Sequence, residues 1–527
     1  MSFPHAQRRI VLVASCALAT VFTSISASAG ISDDVGYNLL LGRLGLGAPN
    51  GAGVPVAQIE APPSGNDYEP NTGLPQFAGK VFTFLSGTGG ISPHANDVGG
   101  YYYGVDANSI AQGITSIYCY SAGGWVQNDY LRTGQGNTIF PLATPGGVKI
   151  MNNSWVGDLS PAAANNDCLR RADYVITRDN ILLVNGVNNA GNPAAALMAD
   201  MYNGVAVGLA NGQHVSDPTP ATLDGPGRLK PEIVADAPYT SYSTPIVSAA
   251  CAVLEQTAMT DISVSADTNA RRPEVIKAVL LAGAVHRAGW TNNPVTSGAS
   301  RGITTQPIDA HYGVDVVNVN NSHLILTGAE QNGQRAVPAS MTATWTGWDL
   351  ASVNDNSSMY YRFHVCNLAP EVSILATWNR QIPIFSSAGT SANFTLTLWK
   401  VQTASTSLQT LVGNPGLSVF TTGNVVSQSS VDNIEHLYIN NLQPGDYVLQ
   451  VSRSDGLGGS RDVAVAWQFS PSSLVQGDAT GDCLVNIDDL TSIILSWGTC
   501  TNACPADLNN DGVVDIDDLT AVILGWS

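Results

Sequence analysis

The stretch that decides the fold runs from Gly227 to Leu254, GRLKPEIVADAPYTSYSTPIVSAACAVL. Its polar loop, Asp236 to Ser243, leads into Thr244-Pro245 and then an apolar run, Ile246 to Leu254. Proline suits the first turn of a helix, where its missing N–H has no partner to lose. The expectation is a buried helix starting near Pro245, with a hydroxyl-rich turn at its N-terminus. A serine held there sits beside the positive end of the helix dipole and beside free backbone N–H groups, a setting that suits a nucleophile. Serine and threonine also stand at helix starts simply as caps. The neighbouring motifs decide between these uses.

RLKPEIVA followed by TSYSTPIVSAA resembles the serine region of the subtilisin-like serine proteases, G-T-S-x-A-T-P-x-V-A-G after a KPDIVAPG-like strand. The resemblance makes Ser241 the nucleophile, with Tyr239 in place of the usual glycine. Upstream, VPVAQIEAPPSG (54–65) reads as a buried strand ending in an acid before a Pro/Gly loop. It is similar to the family strand that delivers the triad aspartate, which puts Glu60 in that role with Asp67 as the alternative. His94, in SPHANDVGGYYYG, is the single histidine between Gly30 and residue 213. It stands where the family's H-G-T-H-V-A-G motif has its first histidine; Val98 and Gly100 match and Ala95 to Asp97 depart.

The order acid, histidine, serine is that of the subtilases. GVKIMNNSW (147–155) resembles the family segment that pairs with substrate backbone, and NILLVNGVNNAG (180–191) the strand ending A-A-G-N-x-G. That alignment implies Asn189 as the oxyanion donor, with Asn188 one residue away as the alternative. The implied activity is hydrolysis of a protein or peptide substrate by a serine endopeptidase. The resemblance covers roughly residues 50–325, and the implied catalytic domain is α/β, subtilisin-like and three-layered, over 30–330.

Three further segments are expected. Residues 1–29 carry Arg8 and Arg9, the apolar run Ile10 to Phe22, and Ala27-Ser28-Ala29, the pattern of a secretory signal peptide, so the protein is expected to be secreted or held at the cell surface. No later run approaches the roughly 20 apolar residues of a membrane span. The formal charge of −19 argues against nucleic acid or an anionic surface as partner. Between 335 and 470, alternating runs such as YYRFHV, FTLTLWKV and GDYVLQV, separated by Gly, Pro and Asn turns, predict a β-sandwich or jelly roll.

Between 477 and 527, Asp478, Thr480, Asp482, Asn486 and Asp489 occupy positions 1, 3, 5, 9 and 12 of a loop, and Asp507, Asn509, Asp511, Asp515 and Asp518 repeat that spacing 29 residues on. Oxygen donors at those positions, with a backbone carbonyl at position 7, are what Ca²⁺ takes from a 12-residue loop. Each loop precedes a short apolar helix, and Cys483 replaces the glycine that Gly512 supplies at position 6. The duplicated unit resembles a type I dockerin, a small EF-hand-like helical module, which implies a cohesin-like module as partner.

One of the eight cysteines, Cys16, lies in the signal segment. Export permits bridges among the others: Cys500 with Cys504 or Cys483, and Cys119 with Cys168, the odd number leaving at least one thiol over. Two other functions compete with the peptidase. One is a non-catalytic binding or scaffold protein of subtilase fold; the other, a carbohydrate-active component, lacks paired acids with aromatic platforms.

Overall fold

The computed structural model describes residues 30–136, 138–382, 389–413, 420–470, 475–500 and 504–526; the expected signal segment, 1–29, lies outside them. The chain builds a mixed α/β body around a parallel sheet, followed by a β-rich region and two short helices.

Among the described residues the first sheet has seven strands, β1 (Val56–Glu60), β2 (Val81–Phe84), β3 (Ser116–Ser121), β4 (Ile150–Asn153), β5 (Leu182–Gly186), β6 (Val205–Leu209) and β7 (Ile233–Ala235), in the order β2-β3-β1-β4-β5-β6-β7. Every pairing is parallel. The central strands are short apolar runs because both faces are covered. Val56, Ile150 and Val184 share one core with α4 (Thr240–Thr260), α5 (Pro273–Ala282) and α6 (Val319–Thr327). Ala57, Ile59, Met151 and Leu183 share another with α3 (Ala163–Asp179) on the opposite face. Parallel strands end at one edge, so the segments that follow β1, β4, β5 and β7 converge there.

The helix expected to start near Pro245 begins five residues earlier. Thr240 is its first residue and Pro245 lies inside it. A proline there leaves the Ser241 carbonyl without its i+4 donor. Burial outweighs that loss, since Ile246 to Leu254 are at most 1% exposed. Hydroxyls tighten the first turns: Thr244 Oγ1 donates to the Thr240 carbonyl at 2.7 Å, and Ser248 Oγ to the Thr244 carbonyl at 3.0 Å. Ser241 therefore lies within the first turn of α4 rather than in a loop ahead of it.

The β-rich region is a sandwich. One sheet holds β9 (Ser357–Val365), β11 (Phe394–Val401) and β13 (Gly445–Arg453); the other holds β8 (Thr346–Asn354), β10 (Ala369–Thr377), β12 (Ile434–Leu442) and β14 (Ser460–Phe469). Their inner faces share a core that includes Tyr361, Phe363, Ile374, Phe394, Leu449 and Trp467. The sandwich packs on the α/β body: Ser373 Oγ donates to the Ala282 carbonyl at 3.0 Å, and His286 Nδ1 lies 2.9 Å from Glu371 Oε1.

The last helices are α7 (Ile487–Leu495) and α8 (Ile516–Gly525), capped by Asn486 and Asp515. Arg43, in helix α1 (Tyr37–Leu44), donates to the Asn510 carbonyl at 2.8 Å and so joins this part to the α/β body.

The cysteines correct one expectation and decide between the alternatives of another. Cys119 and Cys168 are not bridged; with Cys251 they are free and buried, Cys119 in β3 and Cys168 in α3 against Met198. Cys483 pairs with Cys366, 117 residues away, rather than with Cys500, which pairs with Cys504. The apolar surroundings of the three free thiols push their pKa values up and leave them protonated and inert. No helix among the described residues is long and apolar enough to cross a membrane.

Candidate functional site

Glu60 is the last residue of β1, and its carboxylate is 1% exposed at the sheet's carboxyl edge. His94 is the second residue of α2 (Pro93–Tyr103), a helix with Pro93 at its first position, where proline loses no bond, and Ser92 Oγ accepting from Ala95 N at 3.2 Å. His94 Nδ1 lies 2.5 Å from Glu60 Oε1. Gln58, two residues before Glu60 on the same face of β1, sends its Nε2 to Glu60 Oε2 at 3.4 Å and to the Ala95 carbonyl at 3.0 Å, and accepts from Tyr103 Oη at 2.5 Å. The acid is thus tied to α2 both at the histidine and, through Gln58, at Ala95 and Tyr103 beyond it. Asp67, the alternative acid, lies in a separate short ribbon that pairs Asp67–Glu69 with Gly90–Ile91.

Burial raises the Glu60 pKa, while the bonds from His94 and Gln58 oppose that rise. For His94, burial works against the charged ring, but the hydrogen bond and charge of Glu60 outweigh it and hold the imidazole above its ordinary range. A Glu60 oxygen that accepts from Nδ1–H leaves Nε2 as the nitrogen able to take a proton.

Ser241, in the first turn of α4, is half-buried, and its Oγ donates to the Ser154 carbonyl at 3.5 Å. Ser154 follows β4, so that carbonyl comes from the same sheet edge. Among the described residues no hydrogen bond joins His94 to Ser241. Their proximity shows through Tyr242, the next residue, whose ring centroid lies 6.1 Å from that of His94 at an interplanar angle of 30°.

Asn189 follows β5. Its Oδ1 accepts from Thr240 N at 2.9 Å and from Thr240 Oγ1 at 3.2 Å, which fixes the amide's orientation because a backbone N–H can only donate. Its Nδ2 has no hydrogen bond among the described residues and sits one residue away from Ser241 along the chain it grips. Asn188 is used within its own turn: Nδ2 donates to the Pro193 carbonyl at 2.9 Å and Oδ1 accepts from Asn189 N at 2.9 Å. Glu60, His94, Ser241 and Asn189 therefore collect at one edge of the sheet.

Tyr242 and Asp97 were not singled out as site residues from the sequence. Tyr242 Oη donates to Asp97 Oδ2 at 2.9 Å, and its ring stacks on Tyr101 at 5.0 Å and meets Tyr239 edge-on at 5.8 Å. The signal available was the i, i+3, i+7 spacing of His94, Asp97 and Tyr101, which puts them on one face of a helix.

The two acidic loops form a second cluster. Asp478 accepts from Gly481 N, Asp482 N and Cys483 N at 2.7, 3.2 and 2.7 Å, and Asp489 accepts from Thr480 N and Asn486 N at 3.0 and 2.8 Å. In the second loop Asp507 accepts from Asp511 N and Gly512 N at 3.1 and 2.8 Å, and Asp518 from Leu508 N and Asp515 N at 2.7 and 2.9 Å. Asp482 and Asp511 each accept from the residue two further on, and Asn486, Asn509 and Asp515 bond within the loops. Cys483 takes φ 70° and Gly512 φ 92°, so position 6 turns in the same left-handed way in both loops, the disulfide-bonded cysteine included.

Asp489 and Asp518 are fully buried carboxylates. No Lys or Arg occurs from 477 to 527, and no ion pair among the described residues reaches either loop. Burial, with the charges of Asp518 and Asp511, takes the Asp507 pKa up to about 6 against its backbone hydrogen bonds. Buried acids without a cationic partner, in an all-oxygen donor set, fit a hard divalent cation.

No protein-family model matches the chain, and no curated protein matches it. Among solved structures it is similar to the prenylagaramide maturation protease PagA, at 18% identity over 51% of this chain and 92% of that one, with a TM-score of 0.34. The patellamide maturation protease PatA shares 19% identity over 53% and 98%, TM-score 0.34. A lanthipeptide protease shares 13% over 51% and 86%, TM-score 0.35.

Proposed function

We propose that the protein is an exported serine endopeptidase in which Ser241 attacks a peptide carbonyl. The observation that carries this reading is the buried Glu60 carboxylate on His94 Nδ1, on a histidine neighbouring a serine at a helix N-terminus. His94 Nε2 takes the Ser241 hydroxyl proton as the Oγ–carbon bond forms, and Glu60 orients the ring and stabilises its charged form. The oxyanion receives the Asn189 Nδ2–H and the Ser241 N–H, one of the four N–H groups that a helix start leaves without an internal partner. His94 returns the proton to the leaving amine, and water then hydrolyses the acyl-enzyme by the same path.

The test is reaction of the mature protein with a fluorophosphonate, read by intact mass. One adduct on the wild type, absent in Ser241→Ala and slowed in Glu60→Gln, supports the peptidase. A folded wild type that takes no adduct favours a second reading, a non-catalytic binding protein of the same fold. The missing His94–Ser241 hydrogen bond is the observation on that side.

The C-terminal loops support a dockerin-like role. Asp478, Thr480, Asp482, Asn486 and Asp489 would hold one Ca²⁺, and Asp507, Asn509, Asp511, Asp515 and Asp518 a second. The bound ion supplies positive charge among acids that otherwise repel. Ile494, Leu495 and Trp497, and 29 residues on Ile523, Leu524 and Trp526, are exposed apolar side chains on the two helices and the residues that follow them. Such paired apolar faces fit docking to a cohesin-like module. Calcium-dependent binding to cohesins, lost in Leu495→Asp with Leu524→Asp, is the corresponding test.

A further inference from the structure

The peptidase reading leaves unexplained why an exposed acid, Asp97, and a tyrosine, Tyr242, meet beside His94 from helices 145 residues apart in sequence. Tyr242 Oη donates to Asp97 Oδ2 at 2.9 Å, and the Tyr242 ring lies against both His94, at 6.1 Å, and Tyr101, at 5.0 Å and 23°. His94, Asp97 and Tyr101 share one face of α2, so Tyr242 spans that face with its hydroxyl on the middle residue. Tyr242 also follows Ser241 directly. One hydrogen bond and one ring stack therefore join the face of the helix bearing the histidine to the first turn of the helix bearing the serine.

We propose that Asp97 and Tyr242 form a positioning clasp that sets the approach of His94 to Ser241, and that the Asp97 carboxylate acts as a second negative charge on the imidazole beside Glu60. This rests on the peptidase reading. The clasp lies where a small slide between helices matters most, because misplacing a general base by about 1 Å costs on the order of a hundredfold. The groups facing His94 are Glu60 from β1, Asp97 and Tyr101 from its own helix, and Tyr242 from α4. Burial and the Asp97 bond push the Tyr242 phenol up to about 12, and burial raises the Tyr101 phenol, so neither ring brings charge to His94 at neutral pH. Asp97 adds to Glu60 in favouring the charged imidazole against its burial. Neither residue reaches the reacting atoms in this role; both act through His94.

The experiment is the pH dependence of the fluorophosphonate labelling rate, with the His94 ring titrated by NMR, in wild type, Tyr242→Phe, Asp97→Ala, Asp97→Asn and the double variant Tyr242→Phe/Asp97→Ala. A clasp predicts that Tyr242→Phe, which keeps the ring stack, and Asp97→Ala each slow the plateau rate by about tenfold, and that the double variant is no slower than either, since both remove one shared bond. Asp97→Asn keeps an oxygen for the tyrosine hydroxyl and should restore the rate to within about threefold, as expected of a bond that needs only an acceptor. Both Asp97 variants should move the His94 midpoint to lower pH, and Tyr242→Phe should leave it in place. A labelled wild type whose variants keep its rate and midpoint, or whose single losses multiply in the double variant, overturns the clasp alone. A wild type that does not label overturns the peptidase reading and the clasp together.

Discussion

Glu60 Oε1 and His94 Nδ1 lie 2.5 Å apart, with the glutamate side chain 1% exposed and the histidine 35%. The acid is the last residue of a central strand and the base the second residue of a helix, so two rigid elements define the contact. A charged imidazole beside a buried carboxylate has consequences for pH that can be signed.

The folded-state pKa of His94 lies above its ordinary value. Its contribution to stability is then fully present below the unfolded value, near 6.5, and is lost as pH rises through the folded value. Glu60, raised by burial, acts in the same direction at lower pH. Denaturant unfolding at a series of pH values should show wild type losing its stability advantage over Glu60→Gln as pH rises past about 6.5. An advantage that grows with pH would contradict the pairing. The labelling rate should rise over the same interval as Nε2 loses its proton. It should fall by about three to four orders of magnitude in Glu60→Gln, the cost usual when the orienting acid of such a triad becomes an amide.

Asn189 and Asn188 separate by the work their amides already do. Asn189→Ala removes an uncommitted Nδ2 and should lower kcat about a hundred- to a thousandfold with KM within a few-fold. Asn188→Ala breaks only bonds within its turn and should act mainly on thermal stability. Steady-state kinetics on a peptide substrate decide it; an Asn189→Ala enzyme with wild-type kcat would remove this residue from the oxyanion site.

Chelation by EGTA should cost the C-terminal helices their order. The buried Asp489 and Asp518, with Asp478 and Asp507 nearby, would then repel one another in a segment that has no Lys or Arg of its own and makes no ion pair among the described residues. Hydrogen exchange across 477–526 should accelerate in EGTA and recover with Ca²⁺, while the central strands of the parallel sheet keep their protection. Asp518→Asn should weaken the second site selectively. Protection in 477–526 that ignores calcium would exclude the metal.

Cys366 ends up bonded to position 6 of the first acidic loop, which ties that loop to the residue after β9. Peptide mapping without reduction should recover the Cys366–Cys483 pair. In Cys366→Ser the first loop loses its anchor, and calorimetry should find its calcium affinity lowered several-fold with the second site unchanged, because the ordering cost then falls on metal binding. Equal affinities in both proteins would mean that the bridge fixes only the placement of the helices.

What could be read along the chain was whatever depends on neighbours in sequence. The apolar runs ending in Glu60, Asn153 and Asn185 are strands of a sheet buried on both faces because continuous hydrophobicity has no solvent side. The spacing of the ten loop residues predicts two turns of one kind, and both loops close on their carboxylates. Helix α4 was legible as a buried helix but not in its start, because the cost of a proline six residues into a helix is local while the burial that outweighs it is contributed by the sheet and by α5 and α6. The free thiols and the Cys366–Cys483 bridge were illegible, since pairing depends on Cα separation, 5.3 Å here, between residues 117 apart. The Tyr242–Asp97 bond and the grip of Thr240 on Asn189 belong to the same class. Sequence periodicity determined which residues face the core and which end a strand; only the crossing of the strands and helices in space decided which hydroxyl, amide and acid stand beside His94, because those contacts join segments that no local preference connects.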